Sequence, residues 1–432
     1  MKCFGVGFFL LICSFVNSQN YKVLDTSDFV DRSAFIKDYK LHSDLFIKQI
    51  KNDYSGKTSK ELAKIYKDFE VVFLEEINDK NFTFKSGLEN SIQEIITQLR
   101  KSNVNVPEKI RVLISKNNYP NAFCLADGTF VINMGLFNWT ENNEQMASII
   151  SHELAHSILK HNLKLHIKSI NEDREKANEI KSISQQKDNK SSKAFEFLKT
   201  QLYQKSELKR QHEVQADSLG YVLYKNAGYK PFEYINALKN LMEFDTISPS
   251  EVKIETYKKL FTTPTMKFND NWLKKEDFTA YNYDGFKEKI SKDSIASHPE
   301  MNDRVAKLKS FFKELQLEEK ATLAQEDFKT LKHISKMEIL PNFYHSEDFG
   351  LGIYIAMQFY QENEDEDTTF YKEWLGKYFD KIYEARKMYK LNRYVDAVNP
   401  KDQNKSYQQF LNFIWNLKLD EIKNIAAFYN QK

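Results

Sequence analysis

The chain has 432 residues, 41% hydrophobic and 14% aromatic, which is enough apolar surface to close a core of its own and excludes disorder as the main state. Only 12 Gly and 8 Pro punctuate it, a scarcity that favours long helices over a turn-rich β-sandwich, and the length allows two or three domains. With 63 Lys and Arg against 61 Asp and Glu, the formal charge of +2 gives no electrostatic reason to expect nucleic acid or an anionic membrane as a partner.

Residues 1–18 have the pattern of a secretory leader: Lys2 is the positive start, Phe4 to Val16 the apolar stretch, and Val16-Asn17-Ser18 the small-residue cleavage site. The expectation is an exported protein, periplasmic or extracellular, whose mature chain begins at Gln19. No segment reaches the ~18 continuous apolar residues of a membrane span, so no transmembrane segment is expected in the mature chain. Cys3 and Cys13 fall inside the leader, which leaves Cys124 without a partner for an intrachain disulfide. The residues before Cys13 lack the small side chain that lipoprotein processing prefers, so a lipid anchor is not expected. Cys124 itself reads as a small buried hydrophobe, with zinc ligation in a latent state as the alternative.

From residue 21 to about 103 apolar residues recur at three- and four-residue steps, as in Leu62, Ile65, Tyr66 and Phe69 and again in Leu88, Ile92, Ile95, Ile96 and Leu99, so packed amphipathic helices are expected. Residues 109–116 alternate as a short strand, and residues 122–134 carry Asp127-Gly128 between two apolar runs, the signal of a β-hairpin. A strong helix is predicted over 140–166, capped by Thr140 or Asn142 with Glu141 and Glu144 in its first turn. The polar stretch 171–193 reads as an exposed helix with a loop or as a flap. A further helix over 194–226 stops at Gly228, with Pro231 beyond. Residues 245–292 show no decisive period. After about Leu315 the composition turns helical, aromatic and charged, which places a domain boundary near Lys320. Within that last part, Glu362 to Asp367 reads as the solvated entrance of a helix over 370–389, because no Gly-pinned calcium-loop spacing accompanies the charges.

His152-Glu153-Leu154-Ala155-His156 carries the chemistry. Two histidines four residues apart on a helix are separated by roughly 400° of rotation, so both rings leave one face and can hold one metal ion. Glu153 projects beside that face, within reach of a water rather than of the ion. Met146, Ala147, Ile150, Leu154 and Ile158 gather on the opposite side, an apolar back for a histidine front. The plainer reading is a pair of surface histidines. A zinc peptidase site needs a third protein ligand and an open fourth position. His161 follows too soon after His156 for the metzincin spacing, which leaves the thermolysin-like solution, a Glu from a later helix. Glu213 and Asp217 offer it, again four apart on one face: Glu213 would bind metal while Asp217 accepts the outward N–H of a ligating histidine.

With these residues in place the chain resembles the zinc metallopeptidase family that includes the HtpX heat-shock proteases, the CaaX prenyl proteases and the soluble periplasmic BepA-like enzymes. The resemblance runs through four ordered stretches: Asn121-Ala122-Phe123 to Gly128 and Gly135-Leu136, His152 to His156, Glu213 to Asp217 with Gly220, and Ser297-His298-Pro299 followed by Arg304. Together they cover roughly residues 60 to 310. Membrane-spanning helices are missing, which points to the soluble, exported BepA-like branch. At the hairpin bend the family usually has Pro-Gly or Gly-Gly where this chain has Ala126-Asp127-Gly128, a departure that keeps one Gly for positive φ.

The resemblance implies one Zn2+ per chain on His152, His156 and Glu213, with Glu153 as catalytic base and Asp217 as the acid on the third-ligand helix. It also implies that His298 lies close to the metal. In this reading His298 stabilises the oxyanion, occupies the fourth zinc position in a latent state, or simply turns the chain before Pro299. A Tyr of the 221–229 region is a second oxyanion candidate. Arg304 is expected to make an ion pair with Asp217 or Glu300. The hairpin edge at Asn121, Ala122 and Phe123 is expected to bind an extended peptide as an added strand. His161, His166 and His212 are left at the surface or behind the ligands. The fold expected is α+β and mostly helical. A gluzincin-type domain over 19–319 sets a short hairpin or sheet beside the active-site helix, and a helical C-terminal domain over 320–432 offers a docking surface for a partner or substrate. The expected function is a zinc-dependent endopeptidase acting on proteins or peptides outside the cytoplasm in protein quality control. The rivals are a catalytically idle chaperone-like or binding module and a zinc hydrolase of small esters or amides.

Overall fold

In this computed structural model residues 21–184, 190–246, 250–274, 301–399 and 403–430 are described, so the leader and the Ser297-His298-Pro299 motif lie outside the described residues. In chain order the elements are α1 (Phe29–Asp53), α2 (Gly56–Asn78), β1 (Phe82–Thr83), α3 (Leu88–Ser102), β2 (Val112–Ser115), β3 (Ala122–Cys124), β4 (Phe130–Asn133), α4 (Leu136–Trp139), α5 (Asn143–Ile158), α6 (His161–Ser184), α7 (Lys190–Asn226) and α8 (Pro231–Thr246). They continue with α9 (Ile254–Phe261), α10 (Met301–Phe311), α11 (Glu326–Met337), α12 (Ile339–His345), α13 (Phe349–Glu362), α14 (Thr369–Lys387), α15 (Lys405–Asn416) and α16 (Leu419–Asn430). The mixture is α+β and mostly helical, as the scarcity of Gly and Pro requires.

The described chain forms two compact units. The first comprises residues 24–246 and 301–346, the second 21–23, 250–274 and 347–430. The first unit is built on a sheet of order β1-β2-β4-β3, in which β2 and β4 run parallel and the other pairs antiparallel. Successive side chains of a strand point to opposite faces. Accordingly Leu113 and Val131 bury against Tyr39, Phe73 and Ile77 of α1 and α2, while Ile114, Phe130 and Ile132 join α3, α5, α7 and α8 in the main core. The Asp127-Gly128 bend closes β3 onto β4 as expected: Gly128 takes φ +87°, its N–H reaches Leu125 O at 3.0 Å, and Thr129 N–H is held by Asp127 Oδ1 at 2.9 Å.

Two expectations of extent are corrected. The helix predicted over 140–166 ends at Ile158, because Lys160 adopts φ +55° and turns the chain before α6 starts at His161. The break expected near Lys320 falls inside the first unit, which continues to residue 346. Phe328 is fully buried against Phe137, and Ser335 Oγ donates to Met134 O at 2.6 Å. The charged composition after residue 315 marks only the outer faces of α11 and α12. Conversely, residues 250–274 join the C-terminal helices: Gln361 Oε1 accepts from Lys253 N–H and Thr256 Oγ1, both at 2.8 Å, and Tyr429 donates to Leu260 O at 2.6 Å. Phe379, Ile382, Ile422 and Ile425 form the buried seam of α14 and α16 in that second unit.

The start of α5 is fixed by a buried polar network. Asn142, one of the two predicted caps, accepts Gln145 N–H on its side chain at 2.9 Å, and Gln145 Oε1 accepts Glu141 N–H at 2.9 Å. Glu233 of α8 is fully buried and accepts from Asn142 Nδ2 at 3.1 Å, Gln145 Nε2 at 2.9 Å and the Thr322 N–H. Removing a buried acceptor leaves its donors unpaired, so Glu233→Ala is expected to lower the unfolding free energy by about 3 kcal/mol, read from urea denaturation of the two proteins. An unchanged midpoint would show that this network does not anchor the helix.

Candidate metal centre

Helix α5 buries Met146, Ala147, Ile150 and Leu154 and so turns its opposite face, with His152, Glu153 and His156, into a cavity of about 660 Å³. Helix α7 crosses it closely. A Cβ on Gly220 would stand 2.9 Å from His152 Cα and 2.9 Å from the Tyr234 hydroxyl, so only glycine allows this approach. The crossing brings Glu213 over the histidines: its carboxylate oxygens lie 3.5 Å from His152 Nε2 and 3.6 Å from His156 Nε2, and the two Nε2 atoms are 3.1 Å apart. Asp217, one turn further on, stands 2.9 Å from His152 Nδ1. Arg304 pairs with Asp217, one of the two partners considered, through Nε at 2.9 Å and Nη2 at 2.6 Å, a bidentate fork, while Glu300 lies outside the described residues.

The electrostatics follow from burial and from this fork. Burial alone would push His152 down, but the Asp217 and Glu213 carboxylates outweigh it and hold the imidazole up at about 9. Burial, together with the charge on His152, pushes His156 down to about 3. Burial raises Glu153 to about 7 against the pull of His152, and the like charge of Glu213 adds to the rise. Asp217 is held well below the usual carboxylate range because Arg304 and His152 overcome its desolvation. Burial pushes the Cys124 thiol far up, and the side chain sits in the core as a small buried group.

The hairpin edge lines the same cavity. β3 is an edge strand lying against α5, and Asn121, Ala122 and Phe123 all face the cleft region, with Phe123 39% exposed. Asn121 O accepts Asn133 N–H at 2.9 Å and Leu125 N–H reaches Thr129 O at 2.8 Å. In an antiparallel ladder bonded and non-bonded positions alternate, so Ala122 and Cys124 turn their N–H and C=O away from β4 toward the open edge. Cys124 O is taken there by Asn162 Nδ2 at 2.8 Å, and its N–H faces Glu153.

Several residues fall elsewhere than expected. Tyr221 and Tyr224 are buried, donating to Glu314 Oε1 and Lys230 O, and do not line the cavity; Tyr234 of α8, outside the named range, does. Of the two places left open for His161 and His212, both take the one behind the ligands: they are buried and stacked, ring centroids 4.0 Å apart, with His161 against His156. Asn162, Tyr234 and Gln215 carry no local signal, since each reaches the site only through tertiary packing. His166 pairs with the Tyr66 hydroxyl at 3.0 Å, away from the ligands. His298 lies outside the described residues.

The donor set fits a metal ion. Tetrahedral coordination with bonds of about 2.0–2.1 Å separates ligand atoms by about 3.3 Å, close to the spacings of the three donors. With its proton on Nδ1 for Asp217, His152 presents an Nε2 lone pair toward His156 and a carboxylate, an arrangement that calls for a cation between them. This α+β unit, with paired histidines and a Glu on one helix and a carboxylate from the next crossing helix, defines a metallopeptidase. The chain belongs to peptidase family M48: the model of that family matches residues 86–311, somewhat over half of the chain. No curated protein matches it.

Binding an ion must displace the proton that His152 holds up to about 9, while His156 is already neutral and Glu153, at about 7, is mostly ionised at pH 8. Metal uptake at pH 8 is therefore expected to release about one proton, and affinity to rise about tenfold per pH unit up to roughly pH 9. Calorimetry in buffers of different ionisation enthalpy measures the first quantity directly. Release of no proton would contradict the charge state derived for His152.

Proposed function

We propose that this metallopeptidase is a zinc-dependent endopeptidase that cleaves protein or peptide chains outside the cytoplasm in protein quality control, a soluble member akin to the BepA-like enzymes. The observation that carries the reading is the convergence of His152, His156 and Glu213 beside Glu153 in a cleft bordered by an open strand edge. Among the described residues no helix is long and apolar enough to cross a membrane. The leader-like residues 1–18 support export.

His152, His156 and Glu213 hold the ion, which when bound supplies Lewis acidity toward a peptide carbonyl and toward water. Glu153 accepts one proton as water adds to the carbonyl carbon and delivers it to the departing amine nitrogen as the C–N bond breaks, giving a carboxylic acid and an amine; the remaining water proton then passes from the acid to the amine, leaving a carboxylate and an ammonium. Asp217 receives the His152 Nδ1–H and fixes its tautomer, and Arg304 fixes Asp217 in turn. His298 is assigned the stabilisation of the oxyanion. The substrate strand pairs with the N–H and C=O of Ala122, a recognition of main chain that tolerates many sequences, and the apolar wall of Leu136, Ile149, Leu238 and Phe244 receives a hydrophobic side chain.

The decisive experiment is metal analysis with casein cleavage by the wild-type chain and its Glu153→Gln variant. One zinc per chain is expected in both, with cleavage reduced roughly 10²–10⁴-fold in the variant and in His298→Phe lowered mainly in kcat. Activity of the wild type should fall as pH drops and Glu153 gains its proton, at or below pH 7 because the bound cation favours the carboxylate. Equal cleavage by wild type and Glu153→Gln would end the endopeptidase reading in favour of a catalytically idle module.

The strand-addition mode has its own test. Ala122→Pro removes one N–H from the open edge, where proline is tolerated, and is expected to cut kcat/KM about tenfold or more with zinc content unchanged. Unaltered kcat/KM on long peptides would remove β3 from substrate binding.

A further inference from the structure

We infer that His161, held between Gln215 and His212, is the positioning residue that fixes the tautomer and ring orientation of His156 for the metal. The inference rests on the proposed metal reading and concerns a contact that His152 does not share. His156 Nδ1 lies 2.9 Å from His161 Nδ1, and His161 Nε2 lies 3.1 Å from Gln215 Oε1. If His156 offers the Nε2 lone pair to an ion, its proton sits on Nδ1, and two imidazole nitrogens at hydrogen-bond distance admit only one proton between them. His161 Nδ1 must then accept, its own proton must sit on Nε2, and Gln215 Oε1 must receive it. Every hydrogen of the chain from His156 to Gln215 is thereby determined.

The surrounding fold keeps His161 in that pose. The left-handed turn at Lys160, φ +55°, sends α6 back so that His161 at its first position faces the histidine one turn earlier on α5. The His161 ring is 1% exposed and lies flat on His212, with ring planes 3° apart, while the His156 ring meets it edge-on at 4.9 Å. His212 and Gln215 flank Glu213 on α7. The same stretch of helix therefore supplies the third ligand, the plate under His161 and the acceptor for its proton. Two outer clamps follow, Asp217 with Arg304 for His152 and His161 with Gln215 for His156. The first uses a charged acceptor and the second a neutral one.

The test uses the full-length chain, stripped of metal and titrated with zinc against a competing chelator. His161→Leu is expected to weaken zinc binding about 10–100-fold, the usual cost of losing an outer partner of a ligating histidine. His161→Asn, whose Oδ1 stands close to the lost Nδ1, should retain affinity within about threefold, and Gln215→Leu should fall between the two. Histidine ¹⁵N spectra of the zinc-loaded wild type should place the proton of His156 on Nδ1 and that of His161 on Nε2, a readout that a purely space-filling role would not dictate. Wild-type affinity in a folded His161→Leu, or a proton on His161 Nδ1, would overturn the inference while leaving the metal site intact. Should His161→Leu fail to fold, Gln215→Leu and the spectra decide. A wild-type chain that takes up no zinc would overturn the metal reading and this inference with it.

Discussion

The structure depends on making two imidazole lone pairs and a carboxylate face one point in a cleft. Such a cluster repels itself unless a proton or a cation sits within it, and the fold accepts that cost by tying every other polar atom of the ligands outward. Arg304 grips Asp217, Asp217 grips His152, and His161 stands behind His156. Burial opposes a charge on either imidazole, but the Asp217 and Glu213 carboxylates outweigh it at His152, while burial and the His152 charge together lower its neighbour His156. The two histidines are alike in sequence spacing and unlike in charge state, because only one of them has a carboxylate at its back.

Such a cluster can be held only by stiff supports. α5 is buried along its apolar face, pinned at its start by the Glu233 network, and approached so closely by α7 at Gly220 that the two backbones share one relative position. The sheet places the open edge of β3 along the same helix, so Glu153 and the strand proposed to align a substrate are referred to one frame. Cys124 illustrates the economy of this arrangement. Its side chain fills the core, its N–H faces Glu153, and its carbonyl is occupied by Asn162, which leaves Ala122 as the open backbone unit of the strand.

Much of this was legible beforehand, and the reasons differ by residue. His152 and His156 declare themselves because helical periodicity alone puts them on one face, and the Asp127-Gly128 bend declares the hairpin because few residues accept its dihedrals. The helix end at Ile158 was not legible: Lys160 is neither Gly nor Asn, and its left-handed conformation is imposed by the packing of α6. The boundary near Lys320 misled because composition reports the solvent face of α11, while Phe328 and Ser335 on its hidden face bind it to the core. Tyr234 escaped notice for a similar reason. Nothing in its neighbourhood separates it from Tyr221 and Tyr224, and only the crossing of α8 over α7 turns one toward the cavity and the others into the core.

By itself the sequence determined the helical character, the hairpin, the chemistry of the two histidines with Glu153, and the kind of residue that must complete them, because these follow from spacing along one element. The tertiary structure alone supplied the contacts themselves: Glu213 over the histidines, Arg304 on Asp217, and His161 behind His156. Those contacts join atoms distant in the chain, and their geometry is set by how closely two helices can pack, a quantity no local pattern encodes.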